Sequence, residues 1–170
     1  MEEFNLLVEV RWHGRAGQGV VTVSRLLAYG ALLDGKHVQA FPEFGPERLG
    51  APVSGFTRIS DEPIETHSQV YNPNVVAVLD PTLLDILNVE DGIVERGQIL
   101  VNTRENHQDV RRRFGRDDVA AYTVDATGIA LSILGRPVSN TAMLGALVRV
   151  APYVSLESTL RATAERFPGP

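Results

Sequence analysis

Residues 10–35, "VRWHGRAGQGVVTVSRLLAYGALLDG", place three glycines, Gly14, Gly17 and Gly19, where an apolar strand runs into a helical pattern. Upstream, residues 4–12 read as a strand carrying Leu6, Leu7, Val8 and Val10. Downstream, Val20, Val23, Leu26, Leu27, Tyr29 and Ala31 recur at helical spacing as far as Leu33, and Asp34-Gly35 supplies a stop. His37 to Phe41 reads as a second strand, so the segment predicts a strand–helix–strand unit with parallel pairing and a right-handed crossover. Glycines at such a turn raise the question of a phosphate cradle. Their spacing from Gly14 is G-x-x-G-x-G, whereas a dinucleotide fingerprint reads G-x-G-x-x-G, and no Gly-Lys-Ser/Thr follows. Both standard nucleotide motifs are excluded. What remains is general: Gly17 and Gly19 expose backbone N–H groups at a helix start, where the dipole favours an anion. Arg15 adds a guanidinium suited to bidentate phosphate or carboxylate contact. A tight turn whose glycines only permit close packing fits the pattern equally well.

Beyond this unit, Pro42 to Pro52 breaks periodicity with three prolines and two glycines, a loop long enough to be functional or mobile. Val53 to Ser60 alternates as a strand, and Asp61-Glu62-Pro63 turns it towards a short partner at Ile64–Thr66, predicting an antiparallel hairpin. Residues 74–80, "NVVAVLD", form an apolar strand of the kind buried on both faces. Pro81 and Thr82 then open a helix carrying Leu83, Leu84, Ile86 and Leu87. Further strands are expected at 98–102 and 119–124, and helices at 107–114, 128–134, 140–150 and 155–167, the last two opening on polar caps (Ser139 or Asn140 for the first). The alternation predicts one α/β domain over 1–170: three layers around a mostly parallel sheet, with an antiparallel hairpin at one edge. In such sheets ligands gather at the carboxyl ends of strands. The glycine turn and the residues after Asp80 and Asn102 should lie there.

A chain of 170 residues can bury a sizeable core, and 44% apolar with 22% charged residues is ordinary for a globular protein. There is no apolar run long enough to span a membrane, and the acidic start Met1-Glu2-Glu3 lacks the basic flank of a signal peptide, so a cytoplasmic chain is expected. A net charge of −5 argues against general nucleic-acid binding. Cysteine is absent, which removes disulfides, thiolate nucleophiles and cysteine-ligated clusters on this chain. Any electron carriers must sit elsewhere.

Four blocks taken together carry a family resemblance: "RWHGRAGQGVVTVSRLLAYGALLDGK" (11–36), "QAFPEFGPERLGAPVSGFTRISDEPI" (39–64), "NPNVVAVLDPTLL" (72–84) and "SNTAMLGAL" (139–147). In this order the chain resembles the gamma subunit, or gamma domain, of the 2-oxoacid:ferredoxin oxidoreductases, such as pyruvate:ferredoxin oxidoreductase. The second block is the most specific, joining G-P-E-R to a Gly-Ala-Pro strand and an R-I-S-D turn. The resemblance implies a non-catalytic subunit working beside alpha, beta and delta subunits. Those partners would carry thiamine diphosphate, Mg2+ and [4Fe-4S] clusters, and this chain would bind no cofactor alone. A 2-oxoacid would be decarboxylated, with coenzyme A as co-substrate and ferredoxin as electron acceptor. It further implies that Gly14, Arg15, Gly17, Gln18, Gly19, Glu47 and Arg48 face the site that receives coenzyme A. Two departures stand out. Ala16 replaces a glycine of the more usual G-x-G-G-Q-G, which is tolerable only at negative φ. The sequence also stops at "ERFPGP", where many relatives continue with a helical tail.

Other residues read more plainly. Glu43 and Glu47 lie four apart on a loop, as a carboxylate pair or, for Glu47-Arg48, an ion pair or interface pair. His13, His37, His67 and His107 lack metal-ligand spacing and are expected to be structural or exposed. Arg111-Arg112-Arg113 with Arg116 forms a basic cluster at a helix end, either a solvated face or a dock for an acidic partner. No catalytic constellation emerges. The competing functional expectations are a free-standing coenzyme A- or nucleotide-binding module and, more weakly, a small independent α/β enzyme.

Overall fold

A computed structural model describes residues 6–43 and 49–169. Its strands are β1 (Leu7–Arg15), β2 (His37–Glu43), β3 (Pro52–Ser60), β4 (Val75–Val78), β5 (Gln98–Asn102) and β6 (Ala120–Val124). Its helices are α1 (Val20–Leu33), α2 (His107–Arg113), α3 (Ala126–Leu134), α4 (Asn140–Val150) and α5 (Leu156–Arg166). The six strands form one sheet in the order β2-β3-β1-β4-β5-β6. Pairings from β1 through β4 and β5 to β6 are parallel, and β3 pairs antiparallel with both β1 and β2.

The expected three-layer α/β domain with an antiparallel edge is therefore present, with two corrections to its wiring. First, β1 and β2 run in the same direction but do not pair, because β3 lies between them. Second, Ile64–Thr66 forms no strand, and β2 is the hairpin partner of β3. The reason is side-chain capture of the following segment. The carbonyl of Ile64 accepts from Gln39 Nε2, and those of Thr66 and Gln69 accept from the Arg58 guanidinium. Those carbonyls are spent on side chains and leave no ladder to build.

Strand alternation sorts the two faces. Val8, Val10 and Trp12 of β1 point to one side, where Leu27, Leu144 and Leu147 complete a core with α1 and α4. Trp12 is fully buried and donates its Nε1–H to Thr57 Oγ1 at 3.1 Å, and that hydroxyl donates to the Ser24 carbonyl of α1 at 2.9 Å. On the opposite face Val76, Val78, Ile99 and Val101 pack against Leu83, Val110 and Phe114. Under the antiparallel half this second face is polar: Arg58, 1% exposed, donates to Glu9 Oε1 at 2.7 Å and to Gln39 Oε1 at 3.2 Å.

The segment after β4 is tighter than the sequence suggests. Residues Pro81–Asp85 make a 3-10 turn rather than an α-helix, capped by Asp80, which accepts from Thr82 N–H at 3.0 Å. Pro81 fits the first position because its missing N–H would be unsatisfied there anyway. Asn102, at the end of β5, ties the carboxyl edge together. Its amide donates to the Leu79 carbonyl and to Thr127 Oγ1, each at 2.8 Å, and its Oδ1 accepts from Thr127 N–H.

Candidate functional site

The parallel register pairs His13 with Val78, so two residues further on Arg15 and Asp80 leave their strands side by side. Arg15 uses every nitrogen of its guanidinium. Nε donates to Asp80 Oδ2 at 3.2 Å, Nη1 to the Gly50 carbonyl at 3.0 Å and Nη2 to Thr82 Oγ1 at 2.8 Å. Gln18 closes the loop: its Oε1 accepts from Arg15 N–H and its Nε2 donates to Asp80 Oδ2, both at 2.8 Å. Burial of the Asp80 carboxyl opposes its ionisation. Hydrogen bonds from Thr82 and Gln18, with the Arg15 charge, outweigh burial and hold its pKa below the ordinary carboxylate value. The positive charge of Arg15 thus meets the carboxylate that follows the neighbouring strand β4.

Each glycine of the turn answers a local demand. A Cβ on Gly14 would come within 2.5 Å of Val20 Cγ2, so its absence lets β1 and the start of α1 pack closely. Gly17 has φ +95° and Gly19 has φ +81°, the left-handed region that glycine enters without cost. At Gly19 a Cβ would also stand 2.3 Å from Asn140 Nδ2, at the first turn of α4. Asn140, not Ser139, makes the side-chain bond at that helix start, accepting from Thr141 N–H. Ala16 is not in the left-handed region, which among the described non-glycine residues only Arg96 enters. Its N–H donates to the Ala51 carbonyl at 2.9 Å, so the methyl group is accommodated without strain.

Gly14, Arg15, Gly17, Gln18 and Gly19 are therefore brought together at the carboxyl edge of the sheet. Glu47 and Arg48 lie outside the described residues, and with them the Glu43–Glu47 pairing. Between the turn and the β2–β3 hairpin lies a cleft of about 300 Å³, lined by Arg15, Gly17, Gly19, Val21, Glu43 and Ser54 among others. Behind its wall, Ser54 Oγ is 3.4 Å from Nδ1 of the buried His13. Burial, and secondarily the Arg11 guanidinium, pushes the His13 pKa down to about 4, so the imidazole is neutral at neutral pH.

Asp80, Thr82, Ser54 and Asn140 contribute here without having been singled out as site residues. Asp80 and Thr82 carried a signal as the end of an apolar strand at the expected ligand edge, Asn140 as a cap candidate in a matched block, and Ser54 carried none. The remaining histidines, His37, His67 and His107, are exposed, and no group of three or more potential metal ligands occurs among the described residues. The basic cluster is neutralised locally: Arg112 pairs with Asp109, Arg113 with Asp85, Arg116 with Asp118 and Arg111 with Asp117.

The chain is thus an α/β domain with a mixed six-stranded sheet, whose glycine turn is locked to the next parallel strand. The chain belongs to the pyruvate ferredoxin/flavodoxin oxidoreductase family, whose model matches residues 9–170. It is 49% identical over 163 residues to the pyruvate/ketoisovalerate oxidoreductases common subunit gamma of Thermococcus kodakarensis, spanning 96% of this chain and 88% of that one. It is 50% identical over 163 residues to pyruvate synthase subunit PorC of Methanothermobacter marburgensis, with the same shares covered. Among solved structures, pyruvate oxidoreductase subunit PORC of Thermotoga maritima superposes with a TM-score of 0.84 at 46% identity, over 96% of this chain and 86% of that one. No described helix is long and apolar enough to cross a membrane.

Proposed function

We propose that this chain is the gamma subunit of a thiamine diphosphate-dependent 2-oxoacid:ferredoxin oxidoreductase. In that complex a 2-oxoacid such as pyruvate is oxidatively decarboxylated to acyl-coenzyme A, and ferredoxin takes the electrons. The observation that carries the reading is the family match over residues 9–170, with a pyruvate/ketoisovalerate oxidoreductase gamma subunit and a pyruvate synthase subunit PorC near 50% identity. The chain acts as one cytoplasmic domain beside alpha, beta and delta subunits. Thiamine diphosphate, Mg2+ and [4Fe-4S] clusters are assigned to those partners, since a chain without cysteine offers no thiolate for a cluster. The glycine-turn cleft is assigned to the wall that receives coenzyme A. There Gly17 and Gly19 keep the surface low enough for close approach, and the Arg15–Gln18–Asp80 network holds its shape.

The assembly surface in this reading is the apolar face shared by α3, α4 and α5. Ile133, Leu134, Leu156 and Leu160 are 51–74% exposed around a cleft of about 260 Å³ whose lining carries no charged residue. With Ile129 they present on the order of 500 Å² of apolar surface, the upper end of what a monomer leaves uncovered. Its occupant is an apolar face of another subunit of the same complex. Ile133→Glu combined with Leu160→Glu is expected to abolish co-purification of the partner chains while leaving the melting temperature of the chain itself within about 2 °C. Full stoichiometric recovery of the complex would remove this face from the assembly.

Reconstitution tests the function itself. Co-expressed with its partners, the chain is expected to support 2-oxoacid-, coenzyme A- and ferredoxin-dependent turnover, and alone to show none. Turnover by the isolated chain would overturn the reading. Tight coenzyme A binding by the isolated chain in calorimetry would instead favour a free-standing binding module.

A further inference from the structure

The antiparallel half of the sheet sets three rows of side chains on its polar face. They are Glu9, Arg58 and Gln39, then Arg11, Phe56 and Phe41, then His13, Ser54 and Glu43. The first row is satisfied, because Arg58 donates to both Glu9 and Gln39. The other two are not. Arg11 is 9% exposed and His13 8%, and among the described residues Arg11 Nε and His13 Nε2 have no hydrogen-bond partner. A buried polar atom left this way costs the folded state its full desolvation penalty.

Residues 88–94 form a strap that closes over Arg11. Nη2 of Arg11 donates to the carbonyls of Val89, at 2.9 Å, and of Asp91, so the strap is held through neutral acceptors. Burial outweighs the opposing pull of Asp91 and then Glu43, and the pKa of Arg11 is lowered. The strap is also fastened to the segment beside it. Val94 N–H donates to the Pro73 carbonyl at 3.1 Å, and a Cβ on Gly92, at φ +69°, would strike the Tyr71 carbonyl.

His13 shares the face with Arg11 and lies two residues along the same strand. Whichever ring nitrogen carries its proton when neutral, a second proton makes the imidazole a cation beside a buried guanidinium. The carboxylates on this face have other commitments. Glu9 pairs with Arg58, Glu43 accepts from Gln69, and Asp80 beyond the strand end pairs with Arg15. Asp91 is exposed on the strap itself.

We propose that Arg11 and His13 form an acid-released latch: protonation of His13 sets two cations under the strap, and residues 88–94 lift so that water reaches both. The closed imidazole has a pKa of about 4, and the opened ring returns towards the ordinary 6.5. Opening therefore takes up a proton between those values and is favoured as pH falls from 6.5 to 4, with no contribution above that window. The opening equilibrium rises about twentyfold from pH 7 to pH 5, and about 300-fold over the whole window.

Amide hydrogen exchange of the full chain, corrected for its intrinsic pH dependence, tests the latch. The amides of Asp91, Ile93 and Val94 donate to the carbonyls of Asn88, Glu90 and Pro73 and report on the strap. Their protection is expected to fall about twentyfold from pH 7 to pH 5, while the buried Leu100 amide in β5 keeps its own. In His13→Gln the fall should shrink to less than threefold. In Arg11→Met the same three amides should exchange at least tenfold faster already at pH 7. The assigned imidazole of His13 in the wild-type chain should stay neutral by NMR down to pH 5, a reading that needs no variant to fold. A His13 midpoint above pH 6, or strap protection unchanged between pH 7 and pH 5, overturns the proposal. So does an equal fall in wild type and His13→Gln, or wild-type protection of the strap in Arg11→Met.

Discussion

Arg58→Ala is expected to lower the free energy of unfolding by about 3–5 kcal/mol, the usual cost of removing one partner from a buried ion pair. Arg58 is 1% exposed and holds four acceptors: Glu9, Gln39 and the carbonyls of Thr66 and Gln69. It also lies 5.4 Å from the centre of the Phe41 ring. Truncation strips Glu9 of its counter-charge and releases the 64–69 segment from the sheet. For a domain of this size the loss corresponds to a fall in melting temperature on the order of 10 °C. Adding Glu9→Gln should recover part of the deficit by removing the stranded carboxylate, and chemical denaturation of the two variants measures that recovery. A loss below about 1 kcal/mol for Arg58→Ala would mean that solvent replaces the guanidinium without penalty.

Gly19→Ala should damage the turn more than Gly17→Ala, although both glycines have positive φ. The left-handed conformation alone costs a residue with a Cβ about 1–2 kcal/mol. At Gly17 little is added, since among the described residues a Cβ there would meet only Leu49 Cδ1 at an ordinary 3.5 Å. At Gly19 the Cβ would collide with Asn140 Nδ2 at 2.3 Å, so α4 must shift or the asparagine must leave. The expected loss for Gly19→Ala is about 2–4 kcal/mol, combining the backbone cost with overpacking. In the double variant with Asn140→Ala the steric part should disappear and the backbone part remain. Equal losses for Gly17→Ala and Gly19→Ala in denaturant titrations would contradict the Asn140 contact.

The strands and helices were legible because their periods are strong. Gln98–Asn102 and Asn140–Val150 match expectation residue for residue, each being a dense apolar pattern bounded by polar or glycine signals. The order of strands was not legible. A strand–helix–strand pattern predicts parallel neighbours, and only the return of β3 antiparallel to both separates β1 from β2. The reading of Ile64–Thr66 failed for a related reason. Whether a short extended segment joins a sheet depends on who satisfies its carbonyls, and here Gln39 and Arg58 do so from other strands. At the site, the glycines and Arg15 announced a turn, but not that Asp80 would neutralise the arginine. That pairing depends on register between strands about 65 residues apart, which local spacing does not encode.

The position of β3 also governs how the molecule reaches its final form. β1 is bonded to β3 on one side and β4 on the other, and neither exists until residues 52–78 have left the ribosome. The strand nearest the amino terminus therefore waits with both edges open while the chain lengthens, and closing such distant pairs is the slow part of folding. The glycine turn completes later still, since the Arg15 guanidinium needs Asp80 and Thr82. The network that holds its cleft in shape therefore closes only in a chain extended past residue 82. A partner that recognises the finished cleft thereby selects mature copies and passes over nascent ones.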